Sequence, residues 1–235
     1  MHTAYIDYQD GDTVLEGFFS APESSAPLPG VLIAHAWGGR DGFVEDVAKR
    51  LAAEGYACMA LDMYGKGRRG SNDDECRALI TPFFEDRDAI KRRMTLALET
   101  LSSQEAVDAT RIAAIGFCFG GMCVLDLARS GADVRGVVSF HGLLGAPAQT
   151  AARIPASVLV LHGHDDPLVG EQEISQLKAD LTAAGSDWQF HDFGSTVHAF
   201  TNPAAQDKAA GKLFSEKANR RSWQLARDFL AEVLR

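Results

Sequence analysis

The chain has 235 residues, 46% of them hydrophobic, and a formal net charge of −9 from 23 Lys+Arg against 32 Asp+Glu. An acidic chain of this composition is a poor partner for nucleic acid or for an anionic membrane surface. Its four cysteines, Cys58, Cys76, Cys118 and Cys123, have no CxxC or paired metal-ligand spacing. No run approaches the length of a membrane span, and the N-terminus lacks the basic and apolar regions of a secretory signal. The expectation is a cytoplasmic protein with free thiols, no metal and no cofactor.

Two β-like runs open the chain, TAYIDY (3–8) and TVLEGFFS (13–20), and the QDGD between them predicts an antiparallel hairpin. After a Pro/Ser-rich connection, VLIAHA (31–36) is a continuous apolar run of the kind buried on both faces of a parallel sheet. Residues 41–54 carry Phe43, Val47 and Leu51 at helical spacing, with Gly55 as the stop. YACMALDMY (56–64) reads as a strand, and 67–83 as a long irregular loop with room for a short helix. Residues 85–103 are helical, RIAAIGF (111–117) is a strand and GMCVLDLARS (121–130) a helix. VRGVVSF (134–140) and ASVLVLHG (156–163) are strands, 171–185 is a helix, and DWQFHDF (187–193) is the last strand. A long amphipathic helix is expected from about 208 to 234, with Leu225, Phe229 and Val233 on one stripe. Such alternation predicts an α/β fold: a mostly parallel sheet with helices on both faces and an antiparallel N-terminal hairpin, in a single domain over 1–235.

In a sheet of this kind, ligands bind beyond the carboxyl ends of the strands. Cys118 stands there, on the turn Gly116-Phe117-Cys118-Phe119-Gly120-Gly121 between a strand and a helix. A nucleophile on a sharp turn takes strained backbone angles, and small neighbours let strand and helix approach. The N–H of Phe119, opening the helix, can donate to a developing oxyanion, and the helix N-terminus favours a thiolate. A small buried cysteine between two glycine-rich bends is the plainer alternative.

A thiol nucleophile needs a base, and the base needs an orienting partner. His2 is in the tail and His191 inside a strand, whereas His35 and His141 end strands and could line a cleft or simply hold structure. His198, in GSTVHAFTNP between the last strand and the final helix, can reach the carboxyl edge of the sheet. Asp165 and Asp166 follow a strand in LHGHDDPLV. The order Cys118, Asp166, His198 is that of an α/β-hydrolase.

The segments GFCFGG, LHGHDDPLV, TVHAFTNP and LIAHAWGGRDGF…LAAEGYACMALDMYG span most of residues 30–203, and their combination resembles the dienelactone hydrolase family. The resemblance implies an α/β-hydrolase fold and a Cys-His-Asp enzyme that opens enol-lactones or cleaves small esters through a thioester. It implies Cys118 as nucleophile, His198 as base, Asp166 as acid with Asp165 as runner-up, and the N–H of Trp37 beside that of Phe119 in the oxyanion hole. Two positions depart from the family pattern: Ala36 where a glutamate contacts the thiol, and Asn202 where an arginine holds a substrate carboxylate. The reaction class carries over, and the dienelactone substrate does not follow. Lys66, Arg68, Arg69 and Arg87 are alternative carboxylate binders, and Trp37, Tyr64, Phe83, Phe84 and Phe117 candidates for an apolar pocket or for the core. Residues 65–84 and 201–208 are candidate lid segments.

Other readings stand beside this one. His162, His164, Asp165 and Asp166 pack four potential metal ligands into five residues, without a known ligand spacing. A hydrolase fold that only binds a small ligand is a second. A redox-responsive pair of Cys118 and Cys123 is a third, although five residues along one helix place Cys123 more than a turn away.

Overall fold

A computed structural model describes residues 1–235. The predicted hairpin is there: β1 (His2–Asp10) pairs antiparallel with β2 (Thr13–Ala21) around Gly11, whose φ of 58° is the left-handed conformation the turn requires. The main strands then follow as β3 (Leu28–Ala34), β4 (Ala57–Ala60), β5 (Val107–Phe117), β6 (Gly136–Phe140), β7 (Ser157–Gly163) and β8 (Trp188–Phe193). The eight strands form one sheet in the order β1-β2-β4-β3-β5-β6-β7-β8, parallel from β4 to β8, with β2 joined antiparallel to β4.

Side-chain alternation divides the core between the two faces. In β5, Ile112 and Ala114 join a layer of 38 buried residues, while Ala113, Ile115 and Phe117 join the opposite layer of 23. The larger layer lies under α3 (Arg87–Ser102), α4 (Phe119–Arg129) and α5 (Glu171–Ala183). The smaller lies under α1 (Gly42–Ala53) and the C-terminal α6 (Glu216–Val233). With both faces covered, the central strands become the apolar runs seen in the sequence. The result is an α/β fold, and no helix is long and apolar enough to cross a membrane.

Two expectations need correction. The segment 67–83, expected as a long loop with room for a short helix, is mostly helix: α2 occupies Asp73–Glu85. Asn72 caps it by accepting the Glu75 N–H at 3.0 Å, three acidic residues fill its first turn, and Cys76, Ile80 and Phe83 bury one narrow face. That face is thin and Pro82 interrupts the pattern, which hides the helix in the sequence. The long C-terminal helix begins at Glu216 rather than near 208. Before it, β9 (Gln206–Asp207) and β10 (Lys212–Leu213) form a small hairpin turned by Gly211 at a φ of 68°.

The order β4-β3-β5 puts a switch point between β3 and β5, because the connections leaving them run to opposite sides. A crevice opens beyond the carboxyl ends of strands at such a point. The turn after β3 carries Trp37, and the turn after β5 carries Cys118.

Candidate active site

Cys118 links β5 to α4 with φ 56° and ψ −114°, a conformation costly for an L-residue. Backbone hydrogen bonds hold it there: its N–H donates to the Phe140 carbonyl at 3.0 Å, and its carbonyl accepts from Gly121 at 3.0 Å and Met122 at 3.3 Å. The glycine fence has a steric cause. A Cβ on Gly116 would overlap the Gly120 carbonyl, and one on Gly120 would overlap the Ala34 carbonyl. On Gly121 it would lie 2.6 Å from the Gly142 Cα. Backbones of β3, β5 and α4 therefore meet directly, and the Cys118 side chain is lifted to the crevice.

His198 arrives on the loop after β8, flanked by Ser195 at φ 57° and Ala199 at φ 59°. The loop approaches β7 closely enough that a Cβ on Gly163 would lie 2.7 Å from the Thr196 carbonyl. His198 Nδ1 sits 2.7 Å from Asp166 Oδ2, and the two side chains are 2% and 0% exposed. With a carboxylate there, Nδ1 carries the proton. The second Asp166 oxygen accepts the Leu168 N–H at 2.9 Å. Asp165 is exposed, so Asp166 is the aspartate that faces the histidine. His198 Nε2 is buried without a well-formed hydrogen bond, and His198 and Cys118 line the same cleft.

Burial pushes the Cys118 thiol up, but the neighbouring His198 and the N–H groups of Phe119 and Trp37 outweigh it and bring it below its ordinary value. Burial pushes His198 down, and the Cys118 and Asp166 negative charges override that and raise it to about 10. The pair therefore favours thiolate and imidazolium.

A second histidine supports the first. His141, with φ 39°, stands edge-on to His198 with ring centroids 5.1 Å apart, and its Nε2 lies 2.8 Å from the Thr201 hydroxyl. Burial and the His198 charge hold its pKa well below the ordinary histidine value, so it stays neutral. His35 is structural: its Nε2 accepts the Met63 N–H at 3.1 Å, and its Nδ1–H donates to the Ala36 carbonyl at 2.6 Å.

The cleft has a volume of about 760 Å³. Trp37, Phe84 and Phe117 line it, whereas Tyr64 and Phe83 are buried behind it. Ala36 and Asn202 both face it. Of the four basic candidates for a carboxylate, none lines it. Lys66 pairs with Asp7 and Glu16, Arg87 holds Asp126, and Arg68 donates to the Tyr64 carbonyl. The basic residues of the cleft are instead Arg77 on α2 and Lys212 on β10. Lys212 Nζ lies 4.2 Å from the centre of the Trp37 ring and 3.8 Å from Asp73. Sequence reasoning missed both because they sit in the two elements it misassigned. Both candidate lid segments contribute to the lining of the cleft, 65–84 through α2 from Asp73 to Phe84 and 201–208 through Thr201 to Asp207.

The His162–Asp166 cluster does not converge. His162 is buried, His164 binds Asp192 at 2.9 Å, Asp165 is exposed and Asp166 serves His198. Cys123 is buried in α4, where burial pushes its thiol well up.

The profile of the dienelactone hydrolase family matches residues 15–234. The chain belongs to the dienelactone hydrolase family. A solved structure named m3DLH is 38% identical, with a TM-score of 0.95 over 100% of this chain and 99% of that one. A dienelactone hydrolase-like promiscuous phosphotriesterase, P91 from metagenomic libraries, is 37% identical with the same TM-score and the same coverage. A protein of Aquifex aeolicus, named by inference a carboxymethylenebutenolidase, is 24% identical over 235 residues, 98% of each chain. The fold is thus that of the α/β-hydrolases, and the chain is a hydrolase of the class acting on ester or lactone bonds of small molecules.

Proposed function

We propose that this protein, as one α/β-hydrolase domain in the cytoplasm, hydrolyses a small ester or lactone through Cys118, His198 and Asp166. The observation that carries the reading is the Asp166–His198 hydrogen bond beside a strained, cleft-facing cysteine whose thiolate is favoured. The Cys118 thiolate attacks the carbonyl carbon, and the N–H groups of Phe119 and Trp37 hold the oxyanion. As the intermediate collapses, the C–O bond breaks and the His198 imidazolium gives its Nε2 proton to the leaving alkoxide or enolate. Neutral His198 then takes a proton from water, the hydroxide attacks the thioester, and the C–S bond breaks to return the thiolate. Asp166 keeps the imidazole oriented throughout and stabilises its charged form.

Ala36 sharpens this reading. No carboxylate stands at that position to hold the thiol, and the groups lowering its pKa are those of the catalytic arrangement. Likeness to a phosphotriesterase supports a second use of the same nucleophile, attack on a phosphoryl centre with the phosphoryl oxygen in the same hole.

The test is hydrolysis of p-nitrophenyl acetate, and of a p-nitrophenyl phosphotriester, by the wild type and by Cys118→Ala. Turnover of the acetate in the wild type, with loss of about 10⁴-fold or more in the variant, is expected. Equal activity in both would move the catalytic centre away from Cys118.

A further inference from the structure

Tyr64 lies in the turn after β4, 1% exposed, and touches both residues whose amides face the Cys118 sulfur. Its ring is stacked on Phe119, with centroids 5.9 Å apart and planes 14° apart. Its hydroxyl donates to the Trp37 carbonyl at 2.9 Å. Phe83 and His35 complete the cage, with ring centroids 5.7 and 4.9 Å from that of Tyr64.

The tyrosine is itself held in place. Asp62, 3% exposed, accepts the N–H groups of Tyr64 at 2.8 Å and Gly65 at 3.0 Å through one oxygen. Its other oxygen accepts the Glu16 N–H at 3.2 Å. Two more hydrogen bonds tie the loop after β4 to the loop after β3, Met63 N–H to His35 Nε2 at 3.1 Å and Gly70 N–H to the Gly38 carbonyl at 3.0 Å. The loop after β4 therefore braces the loop after β3 at three points, and the Tyr64 hydroxyl is the one on Trp37.

We propose that Tyr64 is a positioning residue of the oxyanion hole, its hydroxyl fixing the Trp37 carbonyl while its ring fixes Phe119, so that both N–H groups converge on one oxygen. The inference rests on the reading of Trp37 and Phe119 as the hole donors. The Trp37 carbonyl belongs to the peptide after the one that carries its N–H, so the hydroxyl holds the torsion between the two, while the His35 Nδ1–H holds the Ala36 carbonyl of the N–H's own peptide at 2.6 Å. Donors act fully only when aimed beforehand at the place where charge develops. Packing alone would be served by phenylalanine, which fills the space with no hydroxyl to desolvate.

The test is Tyr64→Phe, which keeps the ring and removes the hydroxyl. With p-nitrophenyl acetate, kcat per titrated thiol should fall roughly tenfold with KM unchanged, the signature of an interaction made in the transition state. The pH midpoint of Cys118 alkylation should also rise, because the same N–H groups favour the thiolate. Leu101→Ala, buried in α3 beside Gly30 at the far end of β3, serves as the packing control and should lower Tm while leaving both readings at the wild-type value. Unchanged kcat and midpoint in Tyr64→Phe would overturn the proposal, as would the same losses in Leu101→Ala. Both readings refer to folded protein with titratable thiol, so partial unfolding does not imitate the effect. Cys118→Ala in the same assay separates the two levels. Retained turnover there defeats the nucleophile reading and this inference with it, whereas a Cys118-dependent enzyme with a neutral Tyr64→Phe defeats this inference alone.

Discussion

His198 stands between the Asp166 carboxylate, at 2.7 Å, and the Cys118 sulfur, and their influence outweighs burial and pushes its pKa up. Each group stabilises the charged form of the next. Replacing Asp166 by Asn removes one charge and the acceptor that selects the tautomer. Turnover in Asp166→Asn should fall by about a hundredfold or more. The pH dependence of alkylation provides the independent check. A lowered thiol pKa means that Cys118 stays reactive as pH drops below the ordinary thiol range and loses reactivity only through the lower midpoint. In Asp166→Asn, and more so in His198→Ala, that midpoint should climb towards the ordinary value; an unmoved curve would mean that His198 does not sustain the thiolate. Much at this scale is legible in the sequence, since the three glycines around Cys118 report a backbone contact that no other residue tolerates. The choice between Asp165 and Asp166 is not, because which of two adjacent carboxylates turns inward depends on the path of the loop after β7.

At the scale of elements, the strands and the glycine-bounded helices are readable because burial on two faces or one imposes a period of two or of 3.6. Helix α2 and the β9–β10 hairpin escape that logic. α2 buries three side chains on a polar background, and its clearest signals are a cap and an acidic first turn rather than a stripe. The hairpin has strands of two residues and exists because Leu213 N–H bonds to the His198 carbonyl at 3.1 Å and Phe214 N–H to that of Ala205 at 2.9 Å. Its register is thus set by the loop that carries His198, and it delivers Lys212 to the Trp37 ring. The same tertiary logic decides Arg87. Sequence offers it as a substrate binder, but it clamps the 2%-exposed Asp126 through two hydrogen bonds of 2.8 Å and also donates to the Gly145 carbonyl. Arg87→Ala leaves Asp126 with Arg129 alone. The expected loss is about 2–3 kcal/mol of stability, measured by urea denaturation, with KM for esters unchanged. A raised KM at wild-type stability would return Arg87 to the substrate.

Across the whole molecule, the site is a consequence of topology. Strand β3 lies between β4 and β5, so the turns after β3 and β5 open away from each other and leave a crevice. Trp37 lines that crevice, Phe119 is buried where α4 opens next to Cys118, Tyr64 ties the two together from a third turn, and the loops after β7 and β8 bring Asp166 and His198 together beside it. Alternating strands and helices make this sheet foreseeable, and right-handed crossovers restrict its order. What no pattern in the chain reveals is the shape of the cleft, because its walls come from α2, the 199–207 segment and β10, which are far apart in sequence and meet only in the folded molecule.

The central claim is a covalent acyl intermediate on one thiol. Rapid acid quenching of the enzyme during turnover of p-nitrophenyl acetate, followed by peptide mass analysis, tests it directly. The account predicts a mass gain of one acetyl group confined to the peptide carrying Cys118, absent in Cys118→Ala and more persistent in Asp166→Asn. Turnover with Cys118 unmodified at every time point, or an acetyl group on another residue that keeps pace with turnover, would contradict it.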